Sequence, residues 1–323
     1  MQSKAMRSSW SNKFSNAPAT QMKKYGNPET LRCAPEQVLY EKDAGRHVAW
    51  ITLNRPEKHN AMSVPMRARL ADLIRQSERD DEVRVIVIRG NGKSFCSGNE
   101  INEDWGQRVP GQRRMTLTTA NRYATDMNYG RQGFSQAISR CSKVTILQLH
   151  GYCAAAAYFM IATRTDLVVV SADAKIGALE ARFLGPAGAV SAIHINRILG
   201  TKAARRAGYT AHPFSGEDAY RLGMACKCVP AEQVAAATDQ LAEEIARKPP
   251  ALLLYYKARI RAAEAMLDTS VREITGLLFS HFLQADKDEA HFWTNVKKSG
   301  VGGALDADKA RLAAAAEKAG EPK

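Results

Sequence analysis

Short apolar runs separated by helix-like segments dominate the middle of the chain. The first run, at residues 47–53, is rich in β-branched and aromatic residues and stops at Asn54-Arg55-Pro56, where proline ends strand pairing. Similar runs follow at residues 85–88, 144–149 and 167–170, with a weaker one at 226–229. Continuous apolar strands of this kind are typical of an α/β fold whose parallel sheet is covered on both faces.

A helix is predicted between the first two strands. Ser63 is a suitable N-cap, Pro65 suits the first turn, and apolar residues recur on one face at positions 66, 70, 73 and 74. Beyond about residue 193 the sequence is mainly helical. We therefore predict a flexible, acid-poor N-terminal extension at residues 1–35, an α/β core at residues 36–230 and a helical C-terminal region at residues 231–323.

Composition narrows the class of protein without assigning an activity. The 323 residues include 46 Lys and Arg against 33 Asp and Glu, a formal charge of +13, and 45% of them are hydrophobic. The longest apolar stretch, residues 153–162, is about half as long as a membrane-spanning helix. The six cysteines form no CxxC pair and no disulfide framework. We expect a cytoplasmic protein with reduced thiols and no membrane association.

Four local motifs follow one another along the chain. They are Leu53-Asn-Arg-Pro-Glu-Lys-His-Asn-Ala-Met62, Ser94-Phe-Cys-Ser-Gly-Asn-Glu-Ile101, His150-Gly-Tyr-Cys-Ala-Ala-Ala-Ala157 and Ala174-Lys-Ile-Gly-Ala-Leu-Glu180. Together they resemble the crotonase superfamily, also called the enoyl-CoA hydratase/isomerase family, over about residues 37–300. The resemblance implies an α/β fold with a crotonase-like ββα-spiral core and a helical C-terminal region used for trimerisation. It also implies a homotrimer or hexamer.

The same resemblance implies a mechanism that acts on acyl-CoA thioesters. In the family the thioester oxygen takes up negative charge as an enolate, and two backbone N–H groups form an oxyanion hole that stabilises it. One belongs to the residue after the loop glycine and the other to the N-terminus of a helix; the matching residues here are Asn99 and Ala156. Glu180 stands at the position of the active-site glutamate. Because it follows an apolar stretch, burial should raise its pKa and suit it to proton transfer.

Two departures from the family pattern affect that mechanism. Alanine occupies positions 154–157, where many relatives carry glycines, so the turn must form without ready access to positive φ. Phe159 stands where typical hydratases have the first of two glutamates that hold the attacking water. A phenyl ring neither orients nor deprotonates water, so plain hydration needs a substitute carboxylate. By their position in the sequence, the candidates are Glu103, Asp104 and Asp126.

Contacts with the substrate and its coenzyme A are expected mainly from the first two motifs. The resemblance assigns them to Lys58, His59, Ala61, Ser97, Gly98, Glu100, Ile101, Trp105 and Phe159. The sequence contains no dinucleotide-binding loop, P-loop or HExxH motif, so we expect no metal and no cofactor apart from the coenzyme A of the substrate. The positive charge would suit a nucleic acid, but no RNA-binding or zinc-finger motif accompanies it.

These observations favour an acyl-CoA enzyme, a lyase of the hydratase type or an isomerase, that stabilises a thioester enolate and moves a proton with a single glutamate. The reaction would be isomerisation, or hydration and dehydration, of an unsaturated acyl-CoA, including bulky or cyclic ones. Two alternatives stay open. One is a hydrolase or C–C bond-cleaving relative, and the other is a protein that has lost catalysis and binds RNA or another partner.

Overall fold

Strands and helices alternate through most of the chain. The computed structural model describes residues 33–100, 133–182, 192–265, 294–295, 298–300, 302–307 and 309–310. The strands are β1 (Val38–Asp43), β2 (Val48–Leu53), β3 (Val85–Gly90), β4 (Val144–Leu149), β5 (Tyr152–Ala154), β6 (Leu167–Ser171), β7 (Lys175–Gly177) and β8 (Lys227–Val229). The longer helices are α1 (Val64–Glu78), α2 (Phe134–Arg140), α3 (Ala192–Leu199), α4 (Thr201–Thr210), α5 (Gly216–Arg221), α6 (Val234–Ala246) and α7 (Pro250–Ala265).

The strands are arranged in two layers. Six of them form one sheet in the order β1-β2-β3-β4-β6-β8, in which β1 is antiparallel to β2 and the other neighbours are parallel. In the second layer β5 pairs in parallel with β7, and single bridges add Cys96 beside Cys153 and Phe214 beside Ile176. The segments that follow β3, β4 and β6 therefore each enter the second layer. This repeated path confirms the predicted ββα spiral.

Alternate side chains of β2, β3, β4 and β6 are buried on opposite faces of the large sheet. One face packs against α1, through residues that include Ile51, Ile88 and Leu70. The other face packs against α6, through residues that include Val87 and Ala242. Because both faces are covered, the strands appear in the sequence as continuous apolar runs, and those runs located β2, β3, β4 and β6 correctly.

Helix α1 begins and ends close to its predicted bounds. The Ser63 hydroxyl accepts a hydrogen bond from the Met66 N–H at 3.4 Å, and Pro65 lies in the first turn. The apolar face directed towards the sheet is fully buried, as the spacing of its residues predicts. The cap at Ser63 fixes the start of α1 directly after the turn that follows β2 in the chain.

The C-terminal part of the described chain is helical from residue 234 to residue 265 apart from a short break. Lys257 of α7 is 7% exposed and donates to Asp166 and to the Lys143 carbonyl, which anchors the helix beside the starts of β4 and β6. Among the described residues no helix is both long enough and apolar enough to cross a membrane. The boundaries at residues 35 and 230 stay predictions, and residues 1–32 lie outside the described chain.

Candidate active site

The chain leaves β2 through a turn that is organised by Asn60. This residue is fully buried at φ 55°, in the left-handed region that asparagine tolerates better than most residues. Its Oδ1 accepts from the Arg55 N–H at 2.7 Å, and its Nδ2 group lies 2.9–3.0 Å from the carbonyl oxygens of Asn91, Ser94 and Phe95. The first motif is thereby joined to the loop that carries the second.

The loop of the second motif is paired on both of its sides. The Cys96 N–H donates to the Tyr152 carbonyl at 2.9 Å, and the Cys96 carbonyl accepts from the Ala154 N–H at 3.1 Å. On the other side the Met62 N–H donates to the Gly98 carbonyl at 2.7 Å. These bonds hold the loop between the first and third motifs and fix the position of its glycine.

Gly98 lies directly against the alanine turn of the third motif. Its φ is 111°, a conformation that glycine adopts freely and other residues rarely do. A Cβ atom added to Gly98 would lie 2.7 Å from the Ala155 Cβ and 3.3 Å from the Ala156 backbone nitrogen. The backbone around Gly98 and Asn99 therefore approaches the turn too closely to admit a side chain at position 98.

The alanine turn adopts the conformation that its composition disfavours. Ala155 has φ 51°, in the left-handed region, although alanine loses energy there relative to glycine. Three backbone hydrogen bonds enforce it: Ala154 N–H to Cys96, Ala155 N–H to the Gly177 carbonyl at 3.2 Å, and Phe159 N–H to the Ala155 carbonyl at 2.9 Å. The turn thus keeps the positive φ without the glycines that usually supply it.

The two predicted oxyanion-hole residues lie on the two segments that make this contact, Asn99 directly after Gly98 and Ala156 directly after Ala155. Neither the Asn99 N–H nor the Ala156 N–H donates a hydrogen bond to another group in the part of the chain that the structure describes. Ala156 begins the short helical stretch that follows the turn, where N–H groups have no partner within the helix and carry partial positive charge. An oxyanion hole needs two such donors on neighbouring segments.

Glu180 is a buried carboxyl close to the same turn. It lies in the 3₁₀ turn Leu179–Arg182, three residues after Gly177, which pairs with Ala154. Its side chain is 6% exposed, and its Oε2 has no hydrogen-bond partner among the described residues. Burial raises the pKa of Glu180 from 4.5 to about 8. A carboxyl with this pKa exchanges a proton readily near neutral pH, whereas an exposed glutamate in a surface ion pair would not.

Phe159 is part of the apolar core behind the turn. It is 4% exposed, and its ring lies 5.1 Å from the ring of Tyr158. The substitute carboxylates predicted for a water-holding role, Glu103, Asp104 and Asp126, lie outside the described residues, as do Ile101 and Trp105. Within the described chain, Glu180 is thus the buried carboxyl beside the two free amides.

Two of the residues predicted to contact coenzyme A, Lys58 and His59, are exposed beside the loop. The His59 Nδ1 lies 3.0 Å from the Ser94 Oγ. The Ser97 N–H donates to the His59 carbonyl at 2.9 Å, and the Ala61 carbonyl accepts from Arg55 at 2.9 Å. The predicted residues at positions 58–61 and 97–100 are therefore brought together.

Glu100 is engaged in an ion pair within the protein, so its carboxylate is not a free contact for a ligand. Its carboxylate is 3.1 Å from the Arg55 guanidinium and 3.3 Å from the Lys58 ammonium, and the Glu100 and Arg55 side chains are 12% and 11% exposed. This ion pair ties the loop to the exit of β2. Arg55 was missed as a site residue, because only the folded loop shows which carboxylate it contacts.

Two further exposed residues were also missed from the sequence. Tyr152 is 38% exposed, its ring meets the His59 ring edge-on at 6.1 Å, and the Lys175 ammonium lies 5.4 Å from its centre. A lysine and a tyrosine on two short neighbouring strands give no pattern that distinguishes them from ordinary surface residues. The rim, defined as Lys58, His59, Tyr152 and Lys175, combines cationic groups with an exposed aromatic face.

The chain is similar in sequence and in fold to known proteins. A sequence model described as enoyl-CoA hydratase/isomerase matches residues 43–295. The 1,2-epoxyphenylacetyl-CoA isomerase of Escherichia coli is 29% identical over 230 residues, 69% of this chain and 82% of that protein. The (E)-benzylidenesuccinyl-CoA hydratase of Thauera aromatica is 29% identical over 245 residues, 75% of this chain and 87% of that protein. An enoyl-CoA hydratase/isomerase from Xanthobacter autotrophicus shares the fold, with a TM-score of 0.75 at 24% identity over 86% of this chain and 99% of the other.

Proposed function

Because the chain belongs to the enoyl-CoA hydratase/isomerase family, we propose that it catalyses proton transfer through the enolate of an unsaturated acyl-CoA thioester. One observation carries the proposal: the backbone amides of Asn99 and Ala156, which have no partner among the described residues, adjoin a segment that carries the buried Glu180 carboxyl. An enolate needs hydrogen-bond donors for its oxygen and a base for its carbon-bound proton, and this arrangement supplies both.

In the proposed reaction the ionised Glu180 removes a proton from the carbon next to the thioester carbonyl. The electron pair of that C–H bond forms a C–C double bond, and the carbonyl π electrons move onto the thioester oxygen. The Asn99 and Ala156 amides stabilise the resulting charge. The Glu180 carboxyl then gives a proton to the γ-carbon as the enolate electrons return, which shifts the double bond and restores the carboxylate. Exchange of the carboxyl proton with solvent before it is returned introduces deuterium when the reaction runs in heavy water.

Isomerisation is favoured over simple hydration by the residue at position 159. Hydration requires a water molecule that is oriented as a nucleophile, whereas a double-bond shift needs one group that first accepts and then returns a proton. Phe159 is buried and apolar, so it offers no second carboxylate for water. We therefore assign isomerisation as the principal reaction, and hydration or dehydration as the second candidate.

A bulky or aromatic acyl group is the proposed substrate class. Two of the similar proteins are named for phenylacetyl and benzylidenesuccinyl thioesters, and both match most of this chain. The phosphates of coenzyme A would bind to the basic rim, where lysine side chains and an exposed tyrosine lie together. We propose no metal and no cofactor beyond the coenzyme A moiety.

A substrate panel tests this function directly. The protein is incubated in heavy water with 2-enoyl-, 3-enoyl- and aryl-substituted acyl-CoAs, and product mass and deuterium position are read by mass spectrometry. We expect exchange next to the thioester together with interconversion of 2- and 3-enoyl isomers. Glu180→Gln should lower turnover by about 100-fold or more, while Glu244→Gln, at an exposed position of α6, should not change it.

The panel also separates the alternatives. Release of free coenzyme A would indicate a hydrolase, and shortening of the acyl chain would indicate C–C bond cleavage. No reaction with any thioester, combined with RNA binding that weakens steeply with salt, would support the alternative of a binding protein and overturn the proposal.

We also propose assembly as a homotrimer or hexamer, as in the family. Its support is a set of exposed apolar side chains on α7, namely Leu252, Leu254, Tyr255, Tyr256 and Ile260. Exposed apolar groups on one helix are typical of an interaction surface. Light scattering after size-exclusion chromatography should give three or six times the mass of one chain, and a monomer would contradict the assignment.

A further inference from the structure

The hydroxyl of Tyr158 is a buried polar group, and the proposed proton transfer by Glu180 gives it no role. Tyr158 is 1% exposed, and its Oη has no hydrogen-bond partner among the described residues. Buried hydroxyl groups almost always have a partner in the protein or in ordered water. The unpaired oxygen therefore indicates a partner that lies outside the described residues, such as a water molecule or the substrate.

The ring of Tyr158 is held between the alanine turn and the segment that leads to Glu180. The residue directly follows Ala157, and its ring meets the ring of Phe214 edge-on at 5.8 Å. The Phe214 backbone pairs in both directions with Ile176, at 3.0 Å for each bond, four residues before Glu180. Packing thus fixes the ring beside both parts of the proposed active site.

The Glu180 carboxyl provides the second unpaired oxygen at this place. Its Oε2 is buried and has no partner in the described chain, and its charge is close enough to raise the pKa of Tyr158 beyond the rise that burial causes. The other titratable group facing the phenol is Cys153, whose own pKa burial raises well above 9. Both the phenol and the thiol therefore stay protonated through the range in which Glu180 titrates, and the phenol acts as a donor.

We propose that Tyr158 is a positioning residue whose phenol donates a hydrogen bond to an oxygen atom held beside the Glu180 carboxyl. This oxygen belongs either to a water molecule or to the acyl chain of the substrate. In both cases the phenol restores part of the polar environment that Phe159 removes. The inference rests on the proposed function for its catalytic consequence, but the pairing with Glu180 can be measured without any reaction.

The test replaces Tyr158 by phenylalanine, which keeps the ring and its packing and removes only the hydroxyl. The titration of Glu180 is followed by carbon NMR in the full-length protein labelled at glutamate carboxyls, and the signal is assigned by its loss in Glu180→Gln. Tyr220→Phe, at an exposed position of α5, is the matched control. The kinetic constants of each variant are measured over pH with the best thioester of the panel.

If the shared oxygen is water, Tyr158→Phe raises the Glu180 midpoint of the free protein by about half a pH unit or more, because a donor to the ionised carboxylate is lost. The acid limb of the rate profile moves the same way. If the oxygen is the substrate's, the free midpoint is unchanged but kcat falls about tenfold or more with little change in KM. An unchanged midpoint together with unchanged kcat, or with no reactive thioester at all, overturns the inference.

These outcomes are distinguishable from failure of the proposed function. Should no thioester react, a raised midpoint in Tyr158→Phe would still establish the pairing, whereas the enolate chemistry would be refuted. Should Glu180→Gln abolish exchange while Tyr158→Phe behaves like Tyr220→Phe in both measurements, the function would stand and the role of Tyr158 would be refuted.

Discussion

Replacing Glu180 by glutamine should stabilise the protein by an amount that grows with pH. Burial raises the pKa of this carboxyl from 4.5 to about 8. Between these two values the unfolded chain has released the proton and the folded chain still holds it, so the free energy of unfolding falls as pH rises. The contribution of Glu180 to stability is therefore fully present below pH 4.5 and is lost as the pH rises to about 8.

The size of the effect follows from the same two values. Each pH unit in the interval is worth about 1.4 kcal/mol. The penalty carried by Glu180 is therefore about 3 kcal/mol at pH 7 and about 5 kcal/mol above pH 9. Glutamine has nearly the same shape and does not ionise, so the variant lacks this pH-dependent loss of stability, although it also lacks the base.

Urea unfolding at pH 5, 7 and 9 and at one fixed protein concentration measures this difference. The gap in free energy between Glu180→Gln and the unsubstituted protein should widen steadily across the series. Glu244→Gln, in an exposed position, should show a small gap that does not change with pH. Parallel stability curves for Glu180→Gln and the unsubstituted protein would refute the burial argument.

Three other substitutions test the loop and the turn. Gly98→Ala should lower kcat/KM by about 100-fold or more, because the new Cβ would lie 2.7 Å from the Ala155 Cβ and displace an oxyanion donor. Gly208→Ala is the control in the same rate assay, because a Cβ at that position would have no atom within 4 Å. Ala155→Gly should leave activity intact and raise the free energy of unfolding by up to about 1 kcal/mol, since it relieves the left-handed conformation; a loss of activity would contradict this. Asn60→Ala should cost about 3 kcal/mol in urea unfolding by leaving buried backbone groups unpaired, and a change below about 1 kcal/mol would argue against the role of Asn60.

The parts of the fold that were predictable are those in which a local pattern and burial coincide. β2, β3, β4 and β6 are covered on both faces and therefore appear as apolar runs, and α1 carries its own cap at Ser63. β1 was not predicted, because it is an edge strand with exposed charged positions and shows no apolar run. β5 and β7 contain three residues each and are defined by pairing partners distant in the chain.

For the candidate site, the sequence offered residues but not their contacts. Motif matching selected Glu180 and the two amides, whose roles stay predictions, whereas the positive φ of Ala155 depends on bonds to Cys96 and Gly177 that no local rule contains. The same holds for the ion pair of Arg55 and for the buried hydroxyl of Tyr158. Their significance arises from neighbours brought together by the spiral. Cytoplasmic location stays a prediction.

The most direct test of the central claim is the pH dependence of deuterium exchange next to the thioester. With a reactive acyl-CoA, the exchange rate should rise with pH and level off near the Glu180 pKa of about 8, since the ionised carboxylate is the base. In Glu180→Gln the exchange should be slower by about 100-fold or more, and its rate should not depend on pH over this range. An unchanged rate in the variant, or the same rise with pH, would show that another group removes the proton and would contradict the account.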